Sequence, residues 1–389
     1  LISSYITFYS GLGSWGINNN VVWGLDITTF IFWIGIGHSG TLISAILLLL
    51  RQKWRIEISR ISEIMTIVAI LTAGLIPLFH IGRFWLSYWI LPYPNQMNIW
   101  TNFKSPLVWD FFAIGIYLIS SILYFYFSLI PDLPFIYKTL NGKRKKMIYF
   151  FLSLGWKGTS IQWNLHRKLM ILLAGLLTPL VISVHSIVSY DFSVTINPGW
   201  HLTIFPPYFV AGAIFSGCAM IILLISVFKF LRKDEFYVGI EIYDKLSKII
   251  LFMSLILTYS FFLENFTFIY NTINRFEYQV LNIKFFGELS FYNYFYLSVN
   301  LLLPNLLWVQ KFRKNRKFLT IFSVLVLISM WFERYVIVLA PLKLDFINQS
   351  IIKYSPSIIE LGLLIGSFAF FFLLIFIISK LVPLKPIND

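Results

Sequence analysis

Most of this chain reads as hydrocarbon, so its few ionisable side chains stand out. There are five histidines, 31 Lys and Arg, and 17 Asp and Glu in 389 residues. His80 lies in the run Pro77 to Trp85, with Arg83 three residues later, and Asp110 follows Ser105 to Trp109 at the head of the next apolar segment. His185 and Asp191 close another segment, and His201 stands in the loop beyond it. Glu264 sits beside Asn265, Glu333 beside Arg334, and His38 is set among Gly35, Gly37, Ser39, Gly40 and Thr41. An ionisable group inside a bilayer costs about 2.5 to 3.5 kcal/mol on insertion scales, so such residues face the bundle interior and pair or do chemistry. Histidine and carboxylates together supply the acids and bases for moving protons near neutral pH.

The elements that position them are transmembrane helices. The chain is 58% hydrophobic and only 12% charged, more apolar surface than a water-soluble domain can cover. Runs such as Ile64 to Phe79, Met170 to Ile187 and Leu361 to Ile378 reach the roughly 20 residues that cross a hydrocarbon core. The fold expected is an all-α polytopic bundle forming a single integral membrane domain over residues 1–389. About nine spans are expected, at Trp23 to Leu50, Ile64 to Ile90, Pro106 to Ile130, Lys168 to Ser189, Phe205 to Phe230, Leu246 to Tyr270, Phe291 to Val309, Phe318 to Leu339 and Ile358 to Ile378.

The formal charge of +14 is explained by topology. Basic residues cluster in alternate loops: Arg51 to Arg60, Lys138 to Lys157, Arg232 to Lys245, and Lys311 to Lys317. The loop from Tyr190 to Ile204 has no Lys or Arg. The positive-inside rule places the basic loops and the C-terminus in the cytoplasm, and the partner of these charges is the lipid bilayer and not nucleic acid. The outward placement of Leu1 suggests that a native N-terminal segment, with one further span, precedes it. One cysteine, Cys218, provides neither a CxxCH haem site nor the ligands of an iron-sulfur cluster. Any redox metal is expected in partners, unless a b-type haem is clamped by histidines such as His38 and His80.

On this reading His80 stands about ten residues, or about 15 Å, below the outer end of its helix. Arg83 lies one turn further out on the same face, and Asp110 heads the neighbouring antiparallel helix, where the two could meet. The bland alternative is a satisfied histidine and a carboxylate favoured by a helix N-terminus. Glu264 and the adjacent charges of Glu333 and Arg334 are equally open to a structural account, and His166, beside Arg167 and Lys168, reads as solvated. An apolar cavity lined by a histidine and carboxylates suits a lipophilic molecule that releases protons with its electrons, and a quinol is such a molecule. His80 would accept from one hydroxyl, Asp110 would pass the proton on, and Asp191 would be a second base or exit. His38, His185, Glu264, Glu333 and Arg334 would form a proton route across the bundle. Two readings of other classes are a proton-coupled secondary transporter, which should show inverted repeats and broken helices, and a non-catalytic membrane anchor.

Four strings carry a resemblance: Gly35 to Ala45, Arg51 to Arg55, Pro92 to Met97, and Pro206 to Gly217; Trp331 to Val338 extends it. They resemble the NrfD/polysulfide-reductase membrane-subunit family, and within it most the ActC-type subunit of bacterial alternative complex III. The resemblance implies a metal-free helical bundle, typically of ten spans, in the bacterial inner membrane. It implies oxidation of menaquinol near the periplasmic side, with electrons passing to a periplasmic iron-sulfur subunit and then to c-type haem subunits. A second NrfD-like membrane subunit is implied as a neighbour. The family's quinol-site histidine and aspartate fall on His80 and Asp110, with Asp191 as a third.

Overall fold

The computed structural model describes residues 1–94, 97–139, 143–232, 238–270, 275–345 and 350–386. The described residues are overwhelmingly helical, and their one β contact is an isolated bridge between Leu344 and Ile351. In chain order the helices are α1 (Ile2–Ser10), α2 (Leu25–Leu49), α3 (Ser59–His80), α4 (Pro106–Leu129), α5 (Leu133–Thr139), α6 (Lys143–Leu152) and α7 (Ser160–Ser193). Then come α8 (Phe205–Leu231), α9 (Ile240–Tyr270), α10 (Arg275–Phe285), α11 (Ser290–Tyr296), α12 (Gln310–Arg313), α13 (Arg316–Leu342) and α14 (Ile358–Leu381). Eight of these, α2, α3, α4, α7, α8, α9, α13 and α14, are long and apolar enough to cross a membrane. The polytopic helical bundle expected from composition is therefore the fold.

The seventh expected span, Phe291 to Val309, is not one continuous helix. It is assembled from α11, a π-helical turn over Leu297–Leu302 and a 3-10 segment over Leu303–Trp308. Pro304 is the cause: it has no N–H to donate, and its ring crowds the carbonyl four residues back. The Asn305 amide repairs part of the loss by donating to the carbonyls of Leu301 (2.9 Å) and Leu302 (3.2 Å). Irregular backbone at this depth persists only where protein supplies the missing bonds.

Two groups of helices pack side by side. α2, α3, α4 and α7 form one; α8, α9, α13 and the broken segment form the other; contacts of α2 with α8 and α13 join them. α14 packs on α2 and α3 with α1 laid against it. Buried nearly along its whole length, α2 is the central helix. Its small residues allow this. A Cβ on Gly40 would run into the backbone oxygen of Ser62 in α3, and one on Gly217 of α8 would collide with Ser39 Oγ of α2. Such close backbone approach replaces the hydrophobic driving force that helices lack in lipid.

Charged groups at the basic end are neutralised in place. Arg60 Nη2 donates to Asp132 Oδ2 at 2.7 Å, while Ser128 Oγ (2.6 Å) and Ser44 Oγ (3.0 Å) donate to the two oxygens of Glu63. Helix starts follow local chemistry, with capping boxes at Thr159 and Gln162 of α7 and at Ser357 and Glu360 of α14. Proline sits in the first turn of α4 and α8, where its missing N–H costs nothing.

The close α2–α3 crossing predicts that Gly40→Val destabilises the bundle by about 1 to 3 kcal/mol, the usual cost of overpacking. Gly115→Val is the control, because a Cβ at Gly115 meets nothing within 4 Å. Thermal unfolding in detergent should separate the two; equal midpoints would show that the crossing tolerates a side chain.

Candidate functional site

α3 ends at His80, earlier than the apolar run suggests. Pro77 weakens its last turn, Gly82 takes φ +75°, and the Gly82 N–H closes on the Phe79 carbonyl at 2.8 Å. Residues Phe84–Ile90 continue as a separate 3-10 segment. His80 is thus the terminal residue of its helix and not ten residues below its end. Arg83 lies beyond the helix in extended backbone and is exposed, so it does not share a helical face with His80.

His80 is held by Asp26. Its Nδ1 lies 2.5 Å from Asp26 Oδ2, while Asp26 Oδ1 accepts the Gly24 N–H at 3.0 Å. Asp26 occupies the first turn of α2, where the positive end of the helix dipole favours an anion. A carboxylate on Nδ1 fixes the ring as the Nδ1–H tautomer and leaves Nε2 as an acceptor. The His80 side chain is 29% exposed, and Trp15 lies against it with ring centroids 6.4 Å apart. Sequence reasoning did not single out Asp26, although it stands inside the first expected span, where a lone acid is a signal in itself.

Asp110 finds a different partner from the one expected. It lies on the first turns of α4 and is buried, and its carboxyl is within side-chain hydrogen-bonding reach of Asp191 near the end of α7. One carboxyl of such a pair must carry a proton to donate to the other. Each retains a buried Oδ1 without a partner. The ends of α2, α3, α4 and α7 opposite the basic loops thus carry two polar pairs, His80–Asp26 and Asp110–Asp191.

A cavity of about 490 Å³ opens beside the first pair, between α1, α2, α3 and α14. Its wall includes Asp26, Trp15, Thr29, Thr72, Phe79 and Phe370. Volume and mainly apolar lining with few polar groups are those of a small-molecule site. Glu360 also reaches the wall, but its oxygens are committed: Oε1 accepts from Tyr354 Oη (2.7 Å) and Oε2 from the N–H groups of Gly16 (2.7 Å) and Ser357 (2.8 Å).

The remaining candidates lie deeper. His185 stands well inside α7, facing His38 with Nδ1 to Nδ1 at 2.8 Å, and both rings are 1% exposed. One Nδ1 must donate and the other accept, so the imidazoles are opposite tautomers, and neither Nε2 has a partner. Tyr117 packs against His38 with the rings tilted and 4.6 Å between centroids, and it donates to the Gly37 carbonyl at 2.8 Å. Arg334 lies over the Phe209 ring at 4.2 Å, filling the space left by Gly212. Glu333 and Arg334 do not form an ion pair with each other; both Glu333 oxygens and Arg334 Nη1 are buried without hydrogen-bond partners. Glu264 is paired, accepting from Lys284 Nζ at 2.5 Å in a buried contact. Sequence reasoning missed Lys284, a lone cation 20 residues past Glu264. It also missed Tyr208 and Tyr296, whose hydroxyls meet at 2.7 Å. His166, expected in solvent, is half-buried, with Nε2 on the Phe127 carbonyl at 2.9 Å and Trp156 and Trp163 packed around it.

Buried polar pairs and a largely apolar cavity thus lie within one helical bundle, and comparison with known proteins gives the class of membrane protein to which it belongs. A putative dimethyl sulfoxide reductase membrane subunit from Halobacterium salinarum is 25% identical over 226 residues, 55% of this chain. That match spans 48% of the relative, so the chain aligns with about half its length. A selenate reductase subunit from Mesobacillus selenatarsenatis is 24% identical over 98% of this chain and 91% of the relative. Residues 13–344 match the family described as polysulphide reductase, NrfD, and the chain belongs to that family of membrane subunits.

Proposed function

We propose that this chain is the quinol-oxidising membrane subunit of a respiratory redox complex, working at the end of the bundle that carries His80. The observation that carries the reading is the His80–Asp26 contact beside an apolar cavity that reaches Asp26. Quinol oxidation releases two protons and two electrons. His80 Nε2 takes the proton of one hydroxyl, and Asp26 stabilises the imidazolium that forms, as a carboxylate does when it orients a catalytic histidine. The Asp110–Asp191 pair, already sharing one proton, accepts the second through its unpartnered oxygens. On this reading the electrons leave to an acceptor on another subunit, since the single cysteine of the chain cannot by itself ligate an iron-sulfur cluster.

The names of the relatives support a role as one subunit among several. The finer assignment is the ActC-type subunit of a bacterial alternative complex III. It would use menaquinol at the periplasmic side of the inner membrane, with the C-terminus cytoplasmic. Its partners would be c-type haem subunits, a periplasmic iron-sulfur subunit and a second NrfD-like subunit. This rests on the quoted strings and on the charge asymmetry between the two ends. The run His38, His185, Arg334, Glu333, Tyr208, Tyr296 and Glu264 supports a proton route through the interior, since most of these groups are buried and several lack partners.

A second reading is proton-coupled transport, favoured by the π and 3-10 break in the seventh span, since transporter sites are built on discontinuous helices. Uptake of a solute by proteoliposomes holding this chain alone would establish it.

In the assembled complex, His80→Ala and Asp26→Asn should each lower quinol-supported electron transfer by about 100-fold or more, the usual weight of a positioned acid or base. Turnover with a soluble donor that bypasses the membrane subunit should persist. Full quinol activity in both variants would remove the proposed site. His38→Phe and Glu333→Gln should leave electron transfer within about threefold of the parent while reducing proton uptake into vesicles by about tenfold. Parallel loss of both activities would place these residues in assembly and not in a route.

A further inference from the structure

We propose that α6, whose sequence opens with four basic residues, binds anionic phospholipid headgroups at the bilayer boundary. The helix is ten residues long, too short to cross a membrane, and reads Lys-Arg-Lys-Lys followed by Met-Ile-Tyr-Phe-Phe-Leu. Its apolar side chains are turned outward: Met147 is 57% exposed, Ile148 55%, Phe150 54% and Phe151 70%. A helix that shows this much hydrocarbon without a protein cover is placed to lay it into lipid.

Its height is fixed by two hydrogen bonds. Tyr126 Oη donates to the Leu152 carbonyl at 2.8 Å, and Tyr149 Oη donates to the Leu381 carbonyl at 3.0 Å. Residues 126 and 381 stand near the ends of the spanning helices α4 and α14, so α6 lies where hydrocarbon gives way to headgroups. Lys146 is exposed on it, and Trp156 follows within a cluster with Trp163, the aromatic type that favours this boundary.

Charge selects the occupant. No Asp or Glu occurs between Asp132 and Asp191, whereas Lys138, Lys143, Arg144, Lys145, Lys146, Lys157, Arg167 and Lys168 all fall there. Loop asymmetry alone accounts for positive charge at this end of the bundle. It does not account for four consecutive cations joined to an outward apolar face, the combination by which a peripheral helix recognises acidic lipid.

The test is native mass spectrometry of the purified protein from mixed micelles containing equal phosphatidylglycerol and phosphatidylcholine. The parent should retain phosphatidylglycerol in preference. Combined Lys143→Gln, Arg144→Gln, Lys145→Gln and Lys146→Gln should reduce that preference by about tenfold or more, as expected from the contribution of each cation near an acidic surface. Removing the same charge elsewhere at this end, with Lys53→Gln, Lys311→Gln, Lys314→Gln and Lys317→Gln, should leave it nearly intact, and Phe150→Ser with Phe151→Ser should reduce retention of both lipids. Three results would overturn the proposal: no preference in the parent, equal loss in the two charge variants, or displacement of the lipid by excess inorganic phosphate. The first of these, equal retention of the two lipids, would leave the helix as a face for a protein partner instead.

Discussion

A charged or polar group among hydrocarbon must be matched locally, because no solvent stands ready to match it. That constraint organises this molecule more than any single packing contact. Asp26 answers His80, Asp191 answers Asp110, Lys284 answers Glu264, and Arg60 sits between Asp132 and the Glu63–Ser128 contact. All but the Arg60–Asp132 pair, whose acid lies in the turn after α4, join two different helices, so these pairs also fix which helices are neighbours. Among the exceptions, Glu333, Arg334 and the Nε2 atoms of His38 and His185 gather in the interior where the two helical groups meet.

Small residues make the matching possible. His38 reaches His185 because α2 is stripped of bulk along the faces it turns to its neighbours, with Gly35 beside the His185 ring and Gly40 against the backbone of α3. The glycines that read in sequence as a helix-packing stripe are thus also what lets two imidazoles approach across a helix interface. Packing and chemistry are imposed on the same few residues of α2.

The membrane bundle was legible because hydrocarbon runs and basic loops are one-dimensional signals. The presence of His80, Asp110, His38 and Glu264 within or at the ends of apolar runs was legible too, since an ionisable residue there announces itself. Pairings were not legible, because partners come from helices distant in sequence: Asp26 and His80 are 54 residues apart, and His38 and His185 are 147 apart. Helix ends were misjudged where apolarity outlasts helicity. Leu86 and Trp89 continue the greasy run past His80, but Pro77 and Gly82 have already ended the helix. Pro304 likewise divides a stretch whose hydropathy is uninterrupted.

The histidine pair carries a consequence of its own. Because the two rings are joined through like nitrogens, the bond between them has a direction, set by which ring holds the bridging hydrogen. On the proposed route, a proton that entered at one Nε2 and left at the other would reverse that direction, and the pair would take no second proton from the same side until both rings had turned over.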